Sequence, residues 1–271
     1  MIGRKRLAIL SMLLAITSPC YAGTCYIDGE DYASSQIAPV ETDDNPTLNG
    51  GLCGHTIYGT GTGGCIIEVH NDDGVSSGNC LTLGKGVEIR GNGHTLDCSG
   101  AACLAAIVEV SVSPPGSGAT HVDNLNVTGC FQWGVLGNYS FGKITNSKID
   151  LAGSCSGVTN GIVSMPTVEG VVVTNANGLG IGCDGSTVRD SVIHNSEEGL
   201  KVNSSSSIDN VLMYDNTVTL RLISGSPPNM TSSALLGSSC YCKGPSNVCT
   251  DDITACVNPT GDPNFTEEVM F

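Results

Sequence analysis

Residues 166–225 divide into three blocks of twenty that align with one another: PTVEGVVVTNANGLGIGCDG, STVRDSVIHNSEEGLKVNSS and SSIDNVLMYDNTVTLRLISG. Aliphatic residues recur at equivalent positions: Val168, Val188 and Ile208; Val172, Val192 and Leu212; Val173, Ile193 and Met213; and Leu179, Leu200 and Leu220, of which Leu179 is displaced by one residue. A fixed period of this length is a signature of stacked repeats. Because Val, Ile, Thr and Ser dominate and Asn, Asp and Gly punctuate them, the blocks predict short strands joined by tight turns.

The same frame extends towards the N-terminus, where Val122 and Ile144 fall in the column of Val168. Two residues further on, each repeat has a residue type that tolerates left-handed backbone geometry: Asn124, Asn146, Gly170, Asp190 and Asn210. We expect turns at these positions. Asn side chains that recur in successive coils can also hydrogen-bond along the stack. The prediction is an all-β fold, a single-domain right-handed parallel β-helix.

One coil earlier, GVEIRGNGHTLDCSG (86–100) resembles the G-V-x-I-x-G-N-G-H-x-I-D signature found near the N-terminal end of pectate-lyase-like right-handed β-helices. The resemblance covers about 81–225 and implies the fold. That group contains polysaccharide lyases, hydrolases and NosD-like periplasmic proteins, so function has to be argued from the site.

The chain opens with features of an export signal. Arg4, Lys5 and Arg6 form a basic region, an apolar run follows, and Ala22 is a small residue at a cleavage position. This pattern predicts a signal peptide over 1–22 and a secreted or periplasmic protein. The apolar run is too short to span a bilayer comfortably, and no other segment predicts a membrane span.

The charge balance restricts the partners. The formal net charge is −15, and loss of the basic leader would make the chain more acidic still. This charge argues against nucleic acid and against anionic surfaces. A polysaccharide partner is compatible with it, although an acidic polysaccharide would need bridging Ca²⁺. The sequence leaves the oligomeric state open.

Cysteines are abundant, with 14 in the chain. In an exported protein they predict disulfides. Local pairs are favoured, Cys98 with Cys103 and pairs among Cys240, Cys242, Cys249 and Cys256. Cys155 has the spacing of a nucleophile in GSCSG (153–157), but a disulfide in an inserted loop is the favoured interpretation because no strand-to-helix turn is predicted there.

We therefore expect one domain with disulfide-rich caps. The signal peptide (1–22) precedes an N-terminal cap with the first coil (23–80), the β-helix proper (81–225) and a Cys-rich C-terminal cap (226–271). Caps are needed because an exposed terminal coil would offer an open sheet edge.

Two outward columns carry the candidate binding residues. Lys201 and Arg221 occupy equivalent positions one coil apart, about 5 Å from each other, and like charges so stacked repel unless an anion lies over them. A second column contains His194 and Tyr214. These four residues are the predicted substrate-binding set, with no catalytic residue, metal ligand or cofactor assigned. Acidic neighbours can serve as acid partners or neutralise the basic pair: Glu197, Glu198 and Asp215.

Three functions remain open. The leading hypothesis is a non-catalytic structural or carbohydrate-contacting surface module. The alternative is a polysaccharide lyase or glycoside hydrolase, because the resemblance implies that lyases of this fold use Lys, Arg, His or Tyr as the base, with Ca²⁺ or Arg neutralising the uronate. The paired Asp, G-H-G and R-I-K of polygalacturonase-like hydrolases are not found. A NosD-like periplasmic accessory role is weaker because His and Met are scarce at metal-ligand spacing.

Overall fold

The computed structural model describes residues 24–28, 30–33, 52–60, 65–110, 119–138, 142–151, 155–203, 205–223, 228–236 and 239–242. Every regular element in these ranges is a β-strand. The predicted signal peptide (1–22), Cys249 and Cys256 lie outside them. The strands are β1 (Thr24–Ile27), β2 (Glu30–Ala33), β3 (His55–Thr60), β4 (Cys65–Glu68), β5 (Asp73–Val75), β6 (Leu81–Leu83), β7 (Val87–Arg90), β8 (Thr95–Glu109), β9 (Thr120–Asp123), β10 (Asn126–Leu136), β11 (Gly142–Thr145), β12 (Lys148–Asp150), β13 (Asn160–Val163), β14 (Thr167–Glu169), β15 (Val172–Thr174), β16 (Leu179–Cys183), β17 (Thr187–His194), β18 (Glu198–Val202), β19 (Ser207–Tyr214), β20 (Val218–Leu222), β21 (Asn229–Thr231), β22 (Ala234–Leu236) and β23 (Ser239–Cys242).

The strands stack in parallel into a β-solenoid of about seven turns, which confirms the predicted β-helix class. Each coil passes through three parallel ladders in the order A, B, C. Ladder A contains β4, β7, β9, β11, β14, β21 and the first halves of β17 and β19. Ladder B contains β5, β12, β15, β22, the first halves of β8 and β10, and the second halves of β17 and β19. Ladder C contains β3, β6, β13, β16, β18, β20, β23 and the second halves of β8 and β10.

The core consists of stacked aliphatic columns. The predicted column of ladder A is confirmed and continues at both ends, and all its members are buried: Ile67, Ile89, Val122, Ile144, Val168, Val188, Ile208 and Met230. The columns of Val172 and Val173 are confirmed as well. Stacking the same residue type at each level buries a continuous core although no single coil could do so.

One predicted column is wrong. Leu179 was expected to align with Leu200 and Leu220, but Ile181 pairs with Leu200, while Leu179 pairs with Glu198 on the outer face. The physical reason is Gly180, which lies between Leu179 and Ile181 and faces the interior together with Ile181. Two successive residues therefore occupy the inner side of the strand, whereas strict alternation would place only every second residue there.

The predicted left-handed turns after ladder A are confirmed. Positive φ angles of 50°, 49°, 63°, 49° and 52° occur at Asn124, Asn146, Gly170, Asp190 and Asn210. The expected hydrogen bonding along the stack occurs where Asn210 Nδ2 donates to Asp190 Oδ1 over 2.7 Å. A second left-handed column follows ladder B, at Asn175, Asn195 and Asp215.

A column of glycines marks the B–C corner, the turn from ladder B into ladder C: Gly134, Gly161, Gly180 and Gly199. An added Cβ at Gly180 would lie 2.6 Å from the carbonyl oxygen of Gly199 and 2.7 Å from Ile193 Cγ2. Adjacent coils approach so closely here that a side chain has no room.

At the N-terminal end, parallel pairing begins at β3, within the segment assigned to the cap and first coil, and β1 and β2 add antiparallel strands to it, which covers the edge of ladder C. At the other end, β21, β22 and β23 continue the three ladders into the segment predicted to be a cap.

Among the residues that the structure describes, four disulfides fasten the N-terminal half of the solenoid: Cys25–Cys65, Cys53–Cys80, Cys98–Cys103 and Cys130–Cys155. The third is the local pair that the spacing predicts. The fourth confirms that Cys155 is a disulfide cysteine. Within the described ranges, no helix is long and apolar enough to cross a membrane.

Candidate functional site

The predicted residues of ladder B, His194 and Tyr214, lie in register on its outer face. Their rings stack with centroids 4.7 Å apart and planes inclined by 6°. On the other side of the imidazole, Thr174 Oγ1 lies 3.4 Å from His194 Nδ1. Because the rings stack along the solenoid axis, they cover one another's faces and turn their edges outward. They therefore offer a sugar hydrogen-bonding edges rather than a flat aromatic platform.

The predicted residues of ladder C, Lys201 and Arg221, are direct neighbours in register, as the repeat predicts. Arg221 Nη2 lies 2.6 Å from Glu198 Oε1, and this carboxylate is mostly shielded from solvent. The anion expected over the basic pair is thus supplied in part by the chain itself. Glu198 acts as the neutralising partner that the sequence analysis considered.

The two predicted pairs stand on opposite sides of the B–C corner. Between them runs a shallow polar groove, open to solvent along its length, of about 620 Å³ and built by three successive coils. Each coil contributes one row, and the rows are Asn175 to Asn177, Asn195 to Glu197, and Asp215 with Thr217. Coils repeat about every 4.8 Å, close to the length of one sugar unit in a linear glycan, so the rows recur at a suitable interval.

The floor of this groove is rigid. Asn216 is buried, and its Oδ1 accepts the N–H of Ser196 over 2.9 Å while its Nδ2 donates to the Ile193 carbonyl over 3.0 Å. Backbone hydrogen bonds link the rows, from Glu197 N–H to the Ala176 carbonyl and from Thr217 N–H to the Ser196 carbonyl, both 3.0 Å. In the first row, Asn175 Nδ2 donates to Asp150 Oδ1 over 2.8 Å, and the Asn177 amide is hydrogen-bonded to Thr159 and Gly157. The exposed side chains above the floor belong to the other two rows: Asn195, Glu197, Asp215 and Thr217.

Sequence analysis missed most of the groove residues. It named Glu197 and Asp215 only as partners of the basic pair, and Asn177, Asn195 and Thr217 not at all. The signal was present, because the triplets NAN (175–177), NSE (195–197) and DNT (215–217) recur at the period of the repeat. Polar residues at turns also satisfy the backbone geometry of the turn, so this recurrence does not by itself indicate a binding surface.

The outer face of ladder A carries a second feature that sequence analysis missed, an ordered charge column. In successive coils it reads Glu68, Arg90, Asp123, Thr145, Glu169, Arg189, Asp209 and Thr231. Arg189 Nη2 lies 2.8 Å from Glu169 Oε2, and Arg90 Nη1 lies 2.9 Å from Glu68 Oε1.

These contacts neutralise the charge column from within. The hydrogen bond from Arg189, with a smaller contribution from Lys143, lowers the pKa of Glu169. Two hydroxyls complete the pattern, since Thr145 donates to Asp123 and Thr231 donates to Asp209. The ladder A face therefore satisfies its own charges and is the poorer candidate for ligand binding.

A buried carboxyl group lies at the opposite corner, where ladder C turns into ladder A. Glu109 is 5% exposed, and its Oε2 accepts the N–H of Asn138 over 2.9 Å. Burial raises the pKa of Glu109 to about 7, against smaller lowering contributions from hydrogen bonds with Asn138 and Thr120. A Cβ at Gly142 would lie 2.4 Å from Oε2, so the carboxyl group fills the available space.

Within the residues that the structure places, no three His, Cys, Asp or Glu side chains are arranged so as to hold a metal ion. The histidine pairs that do occur involve single carboxylates, such as His94 Nδ1 and Asp72 Oδ1 at 3.2 Å.

Fold and site together define a disulfide-bonded parallel β-solenoid with a polar groove along one corner. No protein-family model, no curated protein and no solved structure matches the chain.

Proposed function

We propose that the protein is an exported, non-catalytic β-solenoid that contacts carbohydrate through the groove at the B–C corner. The observation that carries this proposal is the stack of three polar rows at coil spacing over a rigid floor. Amide, carboxylate and hydroxyl groups are the hydrogen-bonding partners that sugar hydroxyls require. Repetition along the axis suits a linear glycan rather than a single compact ligand.

The charge of the groove indicates an uncharged glycan. Glu197 and Asp215 are both exposed within it, and the chain carries a net charge of −15. A polyuronate would meet repulsion from both the site and the whole molecule. Neutral hydroxyls can instead donate to these carboxylates, and hydrogen bonds to charged acceptors are the stronger ones.

Export is supported by two independent observations. The N-terminal sequence has the three regions of a signal peptide, and four disulfides staple the solenoid. The signature at 86–100 supports a place among the pectate-lyase-like right-handed β-helices, within which we regard this chain as a binding member.

Calorimetric titration with neutral hexasaccharides such as cellohexaose tests this function. We expect the wild type to bind. The double variant Glu197→Ala/Thr217→Ala should lose about tenfold in affinity, because each of its two substitutions removes one hydrogen bond to the glycan. The matched control is Thr187→Ala, an exposed threonine on the outer face of ladder A. Absence of heat with every neutral glycan, or equal affinity in the double variant, would refute the groove as a carbohydrate site.

A polysaccharide lyase is the second candidate, favoured by the in-register pairing of Lys201 with Arg221. An amine beside a guanidinium could remove a proton from a uronate whose carboxylate the guanidinium neutralises. Such a lyase would release an unsaturated product from pectate, alginate or a glycosaminoglycan, detectable by ultraviolet absorbance with and without Ca²⁺. Activity abolished in a folded Lys201→Ala variant would support this candidate, and silence on all polyuronates would remove it.

A further inference from the structure

A second concavity lies on the same B–C corner, in the coils that precede the polar groove. It encloses about 230 Å³ and is apolar in character, with Leu104 and Val158 on its walls. These two residues are 50% and 57% exposed, the highest values among the exposed large hydrophobic residues in the part of the chain that the structure describes. These two exposed aliphatic side chains converge on one pocket instead of being scattered singly over the surface.

The pocket is held open by covalent bonds. Cys103, Cys130 and Cys155 all line it, and they belong to two different disulfides, Cys98–Cys103 and Cys130–Cys155. The second bridge ties the strand β10 to the segment that leads into β13. The apolar walls therefore cannot collapse on each other as free loops would.

The apolar pocket is continuous with the polar groove. Asn177, the last residue of the first groove row, accepts the N–H of Thr159 over 2.6 Å and donates to the Gly157 carbonyl over 3.0 Å. Thr159 and Gly157 both line the apolar pocket. In addition, the Val158 side chain lies against Gly178, where a Cβ would come within 2.6 Å of Val158 Cγ1. One strip along the corner thus changes from apolar to polar within a single coil step.

We infer that the natural ligand is a neutral polysaccharide that carries short acyl groups, with its sugar chain in the polar groove and an acyl group in the apolar pocket. This inference rests on the proposed carbohydrate function and adds the substituent. The pocket is smaller than the roughly 300–1,000 Å³ of sites that enclose a whole small molecule, so it fits a side group of a larger ligand. A polymer is favoured over a membrane glycolipid because the strongly acidic chain is repelled by anionic membrane surfaces.

Calorimetric titration with hexyl β-glucoside, methyl β-glucoside and 1-hexanol separates the contribution of the alkyl chain to the affinity from that of the sugar. We expect hexyl β-glucoside to bind at least about tenfold more tightly than either other probe, because burial of the alkyl chain adds to recognition of the sugar. In the double variant Leu104→Ser/Val158→Ser this gain should disappear, while affinity for cellohexaose should be unchanged. Both side chains are exposed, so the variant should fold. Ile223→Ser, a change at another exposed aliphatic residue, should leave all affinities unaltered.

Each outcome decides the inference. Equal affinities for the hexyl and methyl glucosides would overturn the acyl pocket. So would tighter binding of hexyl β-glucoside that persists in Leu104→Ser/Val158→Ser. In either case, binding of cellohexaose would still support the carbohydrate function. Binding of hexanol as tight as that of hexyl β-glucoside would show that the sugar is not recognised. In another outcome, the wild type cosediments with phosphatidylcholine vesicles that contain a neutral glycolipid, and the same variant does not. That result would overturn the inference of a polysaccharide ligand in favour of a membrane glycolipid. Failure of cellohexaose and of both glucosides would refute the carbohydrate function as well.

Discussion

Replacement of Gly180 by valine is expected to lower the free energy of unfolding by about 3 kcal/mol, the upper end for side chains forced into packed interiors. The added Cβ alone would lie 2.6 Å from the Gly199 carbonyl oxygen, which is backbone and cannot rotate away. The three atoms that this Cβ would meet, on Gly199, Ile193 and Ser196, all belong to the following coil, so that coil would have to move away. Urea denaturation at neutral pH, followed by far-ultraviolet circular dichroism, measures the loss.

Gly157→Val provides the matched control. A Cβ at Gly157 meets nothing within 4 Å, and this glycine is exposed. We expect a change of less than about 0.5 kcal/mol there, as for ordinary surface substitutions. Equal stability of the Gly180 and Gly157 variants would mean that the coils do not approach at the B–C corner as described, and the groove beside it would lose its rigid floor.

Substitution of Glu109 by glutamine is expected to remove a large part of the pH dependence of stability. The pKa of Glu109 is raised to about 7 from an ordinary value of 4.5, so the folded protein binds this proton more tightly than the unfolded chain does. The resulting stabilisation is fully present below pH 4.5 and is lost as the pH rises through 7. Integrated over this window it amounts to about 3 kcal/mol.

Urea denaturation between pH 4 and pH 8 tests this prediction. The wild type should lose stability towards pH 8 through this group, whereas Glu109→Gln should show a much flatter profile because glutamine stays neutral. Glu197→Gln removes an exposed carboxylate from the groove and should retain the wild-type dependence. Parallel profiles for wild type and Glu109→Gln would contradict a buried, protonated carboxyl group at this corner.

The sequence was sufficient to predict the solenoid because its strongest determinants are periodic. Val168, Val188 and Ile208 recur at a constant interval, and Asn146 and Asn210 show the residue type that a left-handed turn demands. A core of stacked columns requires an aliphatic side chain at the same inward positions in every coil, so the same sequence pattern recurs from coil to coil. The in-register pairing of Lys201 with Arg221 follows from the same period.

Features that depend on local departures from alternation were not predictable in this way. Leu179 was misplaced because Gly180 and Ile181 both point inward at the B–C corner, and only the close approach of the coils explains that arrangement. The residue order of the ladder A charge column repeats every four coils. The three best-aligned blocks cover only three coils, so they do not contain one full repeat of this order. The environment of Glu109 depends on Asn138 and Gly142, which are remote in sequence and lie together only in the fold.

The sequence predicted which side chains flank the groove, but none of the four predicted binding residues lines it. His194, Tyr214, Lys201 and Arg221 do point outward, and the sequence offered Glu198 as one of several acidic partners. It could not indicate that the two rings cover each other's faces. Between these pairs, the polar turn triplets form the groove, and turn residues are easily ascribed to backbone geometry alone. Only the fold, in which the coils place these triplets in rows, indicates that their side chains form a binding surface.

An amide NMR titration of the isotopically labelled protein with cellohexaose tests the central claim most directly. The account predicts that shift changes concentrate on 175–177, 195–197 and 215–217, while the ladder A strand at 187–189 stays unperturbed. Shift changes centred on the ladder A face, or no change at saturating sugar, would contradict a carbohydrate groove at the B–C corner.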